Sequence, residues 1–271
     1  MKIDDNLGAA NAGSKLNVLS SDSESQHRGK RAMFHAAMAY VRSFFPTVAG
    51  GSKDLVFESQ RAAEDIALNA DPSDPFWQSA PAVCAERDSD GVPMPQFHAE
   101  IRSRWTERNL YFLFVCPFEE LSLNPSPCTA SETFRLWDWD VAEVFIGSDF
   151  RNIQRYKEFE ISPQGEFVDL DVDLTKPDHE NGWTWSSGFS VAARIDSAIK
   201  VWHGAMSIPF TALDRPSPVA GETFRINLFW SQQRGAKVAW QPTMSHTFHV
   251  PERFGLLRLV GNAGHGAELE Q

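Results

Sequence analysis

Cysteine is scarce: Cys84, Cys116 and Cys128 are the only three in 271 residues. An odd count excludes a full set of intramolecular disulfides, and no CxxC or zinc-type spacing occurs among them. One bridge stays open, but buried free thiols are the simpler reading, and the redox compartment is left undecided. Positive charge is also short. Lys and Arg number 25 against 36 Asp and Glu, for a net charge of −11. Phosphate neutralisation needs clustered Lys and Arg, so nucleic acid and anionic membrane surfaces are disfavoured as partners. No run approaches the ~20 apolar residues that span a bilayer. GxSxG, HExxH, P-loop and GxGxxG patterns are all missing, which removes support for a serine hydrolase or a nucleotide enzyme.

Aromatic residues are plentiful, but not as tyrosine: nine Trp and twenty Phe stand beside three Tyr. Many must be core. Nine indoles are enough that some should lie at a surface, where a flat ring can stack on a ligand.

Three stretches differ in texture. Residues 1–70 read as a flexible N-terminal segment rich in Ser, Asn, Gly and Ala, with short helical turns at 31–44 and 60–68. Within it, Arg28, Lys30 and Arg31 precede AMFHAAMAYV, a faint imitation of a secretory signal that His35 interrupts. Residues 71–261 form a string of short strand-like runs separated by Gly, Pro, Asp and Asn, the pattern of an all-β, antiparallel sandwich. Residues 262–271 read as a polar tail. Alternation predicts strands at 100–105, 110–115, 141–147, 156–162 and 166–172, and further strands at 188–195, 200–207, 223–230, 237–240 and 256–260. PQG at 163–165 is a hairpin turn, and IPFTAL and PERFG suggest helical turns.

The densest chemistry is RLWDWDVAEVFIG at 135–147. A hydrophobic strand does not need Trp137 and Trp139 alternating with Asp138 and Asp140 at its mouth. Sugars present apolar C–H faces ringed by hydroxyls, so a site for them needs a flat aromatic face and in-plane carboxylates or amides. Trp137 and Glu143 supply both, although either Trp could instead cap the core. Glu143 and Glu160 fall on the polar-facing side of their strands and would share one sheet face if the strands are neighbours. Two carboxylates together fit sugar hydroxyls, a glycosidase pair or an ordinary solvated face. Trp240 ends a strand before Gln241-Pro242 and is placed like a rim residue; Trp183 and Trp185 sit in a loop with similar ambiguity. DLDVDL aligns Asp169, Asp171 and Asp173, which invites calcium, yet Leu174 stands where a helix–loop–helix calcium loop needs Gly. A sandwich-type calcium site at Asp169 and Asp171 stays open beside a plain acidic face. The eight His show no metal spacing.

In order, WDWDVAEVFIG, YKEFEISPQGEFVDLDVD, WHGAMSIPFTAL, GETFRINLFW, VAWQPT and FHVPERFGLLRL resemble family 9 carbohydrate-binding modules, a DOMON-like group of β-sandwiches. The resemblance covers roughly residues 76–260. It implies a concave sheet holding a sugar or polysaccharide end between two Trp, in support of carbohydrate catabolism beside polysaccharide hydrolases. It implies that those rings are Trp137 and Trp240, that the strand acid is Glu143, and that Asn227 supplies an amide. The chain departs from the pattern at Glu160, where ligand-binding members tend to carry Arg, and at Ala205, where many carry Glu. The expectation is therefore a non-catalytic carbohydrate-binding domain with no certain cofactor, a structural calcium being left open. An extracellular or periplasmic location is compatible with it, though no clear signal peptide is present, and the oligomeric state is open. Two alternatives remain: a glycosidase using Glu143 and Glu160, and a DOMON-like haem domain with Met206 and His203 or His246 as axial ligands.

Overall fold

A computed structural model describes residues 56–261. Twelve strands run through them: β1 (Val56–Arg61), β2 (Ala82–Ala85), β3 (Ala99–Trp105), β4 (Asn109–Pro117), β5 (Val141–Gly147), β6 (Arg155–Ile161), β7 (Phe167–Asp173), β8 (Ser190–Asp196), β9 (Val201–Pro209), β10 (Thr223–Ser231), β11 (Lys237–Ala239) and β12 (Gly255–Val260). Their hydrogen-bonded order is β7-β6-β5-β10-β12-β1-β3-β4-β9-β8, with β11 on β10 and β2 on β3. The path folds over on itself as a sandwich. Two pairings depart from the antiparallel expectation: β1 runs parallel to both β12 and β3. That strand lies inside what the sequence reading assigns to the flexible N-terminal segment, and it joins the two layers. The helical turn expected at 60–68 is not formed there.

Alternation builds the interior. Ala142, Val144 and Ile146 of β5, Phe159 and Ile161 of β6, Trp202 and Met206 of β9, and Ile226, Leu228 and Trp230 of β10 all point between the layers into one buried cluster. A fully buried large side chain contributes about 1.5–3 kcal/mol relative to exposure, so this cluster is the main stabilising feature. The layers approach closely at Gly204. A Cβ there would lie 2.8 Å from the Trp202 ring and 3.2 Å from Ile161 on the opposing layer. Glycine is required by that close approach.

Each layer also has an outer face. Over β4 and β9, Tyr111, Leu113, Val115, Val201 and Ala205 are covered by Trp77 and Ala70. Over β5, β6, β7 and β10, Phe145, Tyr156, Val168, Leu170, Val172 and Phe229 pack with Leu136 and Val141. This second outer face carries the groove described below.

The ten strands expected from alternation are all present within a residue or two. IPFTAL and PERFG become 3-10 turns at Phe210–Leu213 and Pro251–Arg253. The three cysteines are free thiols: Cys116 is buried as expected, Cys84 partly so, and Cys128 is exposed. Among the described residues no helix is long and apolar enough to cross a membrane. The signal-like stretch at 28–49 and the tail at 262–271 lie outside the described residues.

Candidate carbohydrate-binding groove

A cavity of 310 Å³ opens on the outer face of β5, β6 and β10. Ligand sites of roughly 300–1,000 Å³ are typical for small molecules. Its floor is Glu143 and Phe145 from β5, Glu158 and Glu160 from β6 and Ser231 from β10; its walls include Trp137, Lys237, His179 and the segment 246–249.

Trp137 reaches the cavity from a short 3-10 turn, Leu136–Asp138. Arg135 before it sits in the left-handed region (φ 62°, ψ 39°), a conformation that costs an L-residue about 1–2 kcal/mol. Three anchors hold the turn in place. Leu136 is buried beneath it. Both Asp140 oxygens accept backbone N–H groups, from Ser122 at 3.0 Å and Gln233 at 2.8 Å. The Gln233 side-chain amide donates to the carbonyl of Trp137 at 2.7 Å. The indole is half-buried, edge-on to Phe134 at 5.6 Å, and Phe134 in turn stacks on Trp183 at 4.9 Å. An aromatic rim thus flanks an acidic floor.

The acids are grouped by strand register. Glu143 pairs directly with Glu160 across β5 and β6, and Phe145 with Glu158. Period-two alternation then puts Glu143, Glu158 and Glu160 on one face, with one oxygen of each within 4.8 Å of the others. None is more than 3% exposed. Burial pushes all three carboxyls above the usual range, and mutual repulsion adds to this for Glu143 and Glu160. Glu158 is raised to about 7, burial being partly offset by a hydrogen bond with Glu160. Beside them, His249 Nδ1 is 2.6 Å from the Tyr156 hydroxyl, and its Nε2 lies 4.0 Å from Glu158. Burial and the neighbouring His179 lower His249 to about 4, so it is neutral at pH 7.

The fold has known counterparts. The family model for carbohydrate family 9 binding domain-like proteins matches residues 70–262. The chain belongs to that family. Endo-1,4-beta-xylanase A of Thermotoga neapolitana is 22% identical over 194 residues, covering 69% of this chain but only 16% of the enzyme. The family 9 domain therefore spans a small part of that relative's length. Among solved structures, a family 9 carbohydrate-binding module of Caldicellulosiruptor kristjanssonii in complex with cellotriose superposes with a TM-score of 0.55 at 13% identity, covering 79% of this chain and all of that one. A putative carbohydrate-binding protein of Bacteroides uniformis gives 0.58 at 15% identity, covering 75% and 98%. The C. kristjanssonii module with glucose gives 0.52 at 13% identity, covering 78% and 100%. At these identities the likeness is one of fold.

Within this family 9 domain the residues expected from sequence separate into two groups. Trp137, Glu143 and Glu160 meet at the cavity. Trp240 does not. The residue is 8% exposed and packs in the cluster between the layers, its ring 6.2 Å from that of Phe57. Trp240 shares parity with buried Val238, and that alternation was the signal that could have placed it. The two-indole clamp is therefore not assembled. Asn227 is fully buried and holds the chain after Trp240: its amide donates to the Gln241 carbonyl at 2.8 Å, and its oxygen accepts the Gln241 N–H at 3.0 Å. It does not line the cavity. Ala205 lies on the outer face of the other layer, so that departure leaves the groove untouched.

The calcium candidates are engaged elsewhere. Through Oδ2 Asp169 accepts both the N–H and the hydroxyl of Ser187, at 3.0 and 2.6 Å, its Oδ1 being buried without a donor, and Asp171 pairs with Lys157 at 2.7 Å. Their strand parity turns them away from the groove face carrying Val168, Leu170 and Val172. The haem pairing also fails: Met206 points into the interior, while His203 is on the opposite face of β9 and His246 is in the groove. Glu158, Lys237, Phe248 and His249 escaped the sequence reading as site residues. Glu158 shares Glu160's parity and was legible; the other three needed β11 and the 246–249 loop to be placed in space.

Proposed function

We propose that this domain binds carbohydrate without cleaving it, seating a sugar ring against Trp137 over the Glu143–Glu158–Glu160 floor. The observation that carries the reading is a half-buried indole, held by an anchored turn, standing over a cavity floored by polar groups in a family 9 sandwich. An indole face matches the C–H face of a pyranose. Burial favours the protonated form of these carboxyls, and a carboxyl that carries a proton both donates and accepts, which suits hydroxyls that do the same. Phe248, stacked on Phe229 at 4.0 Å, is a second aromatic surface in the same cavity and takes the place that the sequence reading gave to Trp240.

The test is titration of the full chain with glucose, cellotriose and a wider panel of soluble oligosaccharides, followed by Trp fluorescence and calorimetry. Saturable binding that Trp137→Ala weakens at least tenfold supports the reading. Absence of binding across the panel, or affinity indifferent to Trp137→Ala, overturns it.

A further inference from the structure

The groove floor holds more buried carboxyl groups than a sugar alone requires. Glu143, Glu158 and Glu160 come from two neighbouring strands and are essentially sealed from solvent. Both oxygens of Glu160 and Oε2 of Glu158 meet no protein donor other than a proton shared between the carboxyls themselves. Among the described lining residues, Lys237 is the only fixed cation, and it is exposed. Buried carboxylates are normally paired or coordinated to a metal, because an uncompensated charge in a low-dielectric interior is costly.

We propose that Glu143, Glu158 and Glu160 form a site for a hard divalent cation, of the calcium kind, on the floor of the groove. Three oxygens within 4.8 Å of one another lie at the spacing one such ion bridges, since calcium–oxygen distances run about 2.3–2.6 Å. The donor set is all oxygen, which hard cations prefer over softer metals. Glu160 is the second and decisive feature. It is 0% exposed, lines the cavity, and has both oxygens without a protein donor. A structural carboxylate would be expected to find a backbone N–H or an Arg, as both oxygens of Asp140 do with backbone amides. Hydration completes the coordination shell on the cavity side; if the domain binds sugar, vicinal hydroxyls replace that water. The site lies on the opposite face of the β5–β6–β7 layer from Asp169 and Asp171.

The full chain, stripped with chelator and dialysed, is titrated with Ca²⁺ by calorimetry and with Tb³⁺ by luminescence excited through tryptophan. One equivalent of Ca²⁺ should bind. Glu160→Gln should weaken it at least a hundredfold, and Glu158→Gln serves if that variant misfolds by circular dichroism. Trp137→Phe should dim Tb³⁺ emission without changing Ca²⁺ affinity, and Asp169→Asn with Asp171→Asn should leave the affinity as it was. No Ca²⁺ uptake to millimolar concentration, uptake indifferent to both Glu variants, or preference for Zn²⁺ overturns the assignment. Sugar titrations run in parallel separate the two readings. Sugar binding without Ca²⁺ uptake sinks the cation site alone. Ca²⁺ uptake without sugar binding supports the cation site and sinks the carbohydrate reading.

Discussion

Glu143 of β5 lies directly across from Glu160 of β6, and both side chains are buried. Like charges placed opposite one another destabilise a sheet. With Glu158 beside them and the half-buried Trp137 lining the same cavity, that spot is where the proposed sugar and cation sites are both placed.

The two indoles singled out by family resemblance should behave oppositely. Trp137→Ala is expected to remove most sugar affinity, about 1–3 kcal/mol if sugar stacking resembles other ring stacking, with little change in thermal stability. Trp240→Ala is expected to cost about 3–5 kcal/mol of stability, because it opens a cavity in the interior beside Phe57. Chemical denaturation and sugar titration of both variants decide it. A stable Trp240→Ala protein that has lost sugar binding would restore the two-indole clamp.

Asn227→Ala should act on folding rather than on affinity. It deletes both hydrogen bonds that tie β10 to the Gln241 backbone inside a buried site. The expected loss is about 1–3 kcal/mol in urea unfolding. Normal stability with tenfold weaker sugar binding would return Asn227 to the ligand site.

Acid should reveal a separate anchor. Asp65 accepts from Asn109 at 3.0 Å, Tyr111 at 2.9 Å and Arg108 at 2.6 Å, and from Thr106. Burial alone would raise its carboxyl, but these donors outweigh burial and lower it to about 2. A depressed folded value contributes stability that is present above the unfolded value and lost as pH falls through the folded one. Asp65 should therefore contribute about 2 kcal/mol at neutral pH, fading between about pH 4 and 2. Asp65→Asn should flatten that part of the stability profile. An unchanged profile would show that the cluster does not hold the segment before β2 to β4.

Catalysis should not be detected. Incubation with xylan or cello-oligosaccharides is expected to release no reducing ends above the blank, for the parent chain and for Glu143→Gln alike. Release that Glu143→Gln abolishes would make the domain a glycosidase. One oxygen of each carboxyl lies within 4.8 Å of the others, closer than the ~6.5–9.5 Å of an inverting pair and near the ~5–5.5 Å of a retaining one, so the assay and not the spacing decides.

Local alternation was sufficient for most of the architecture. Val168, Leu170 and Val172 opposing Asp169 and Asp171 is a pattern that only a strand with two unlike faces produces, and the same holds for Phe159 and Ile161 against Glu158 and Glu160. The ten expected strands follow from the apolar patterning and the PQG turn from its residue types, while the shared face of Glu143 and Glu160 follows from parity once β5 and β6 are neighbours. β1 escaped notice because its parallel partners, β3 and β12, are distant in sequence.

The sequence by itself determined the strands, their faces and the family, because side-chain direction in a strand depends only on parity and turns announce themselves locally. Tertiary structure decided which faces meet. It turned Trp240 into the interior, gave Asn227 a structural role, and raised Glu158 and His249 into the groove. It also made Glu143 and Glu160 buried rather than solvated. Burial belongs to the layer that covers a face, and the segments walling this groove, 179–180 and 246–249, come from far along the chain from Glu143.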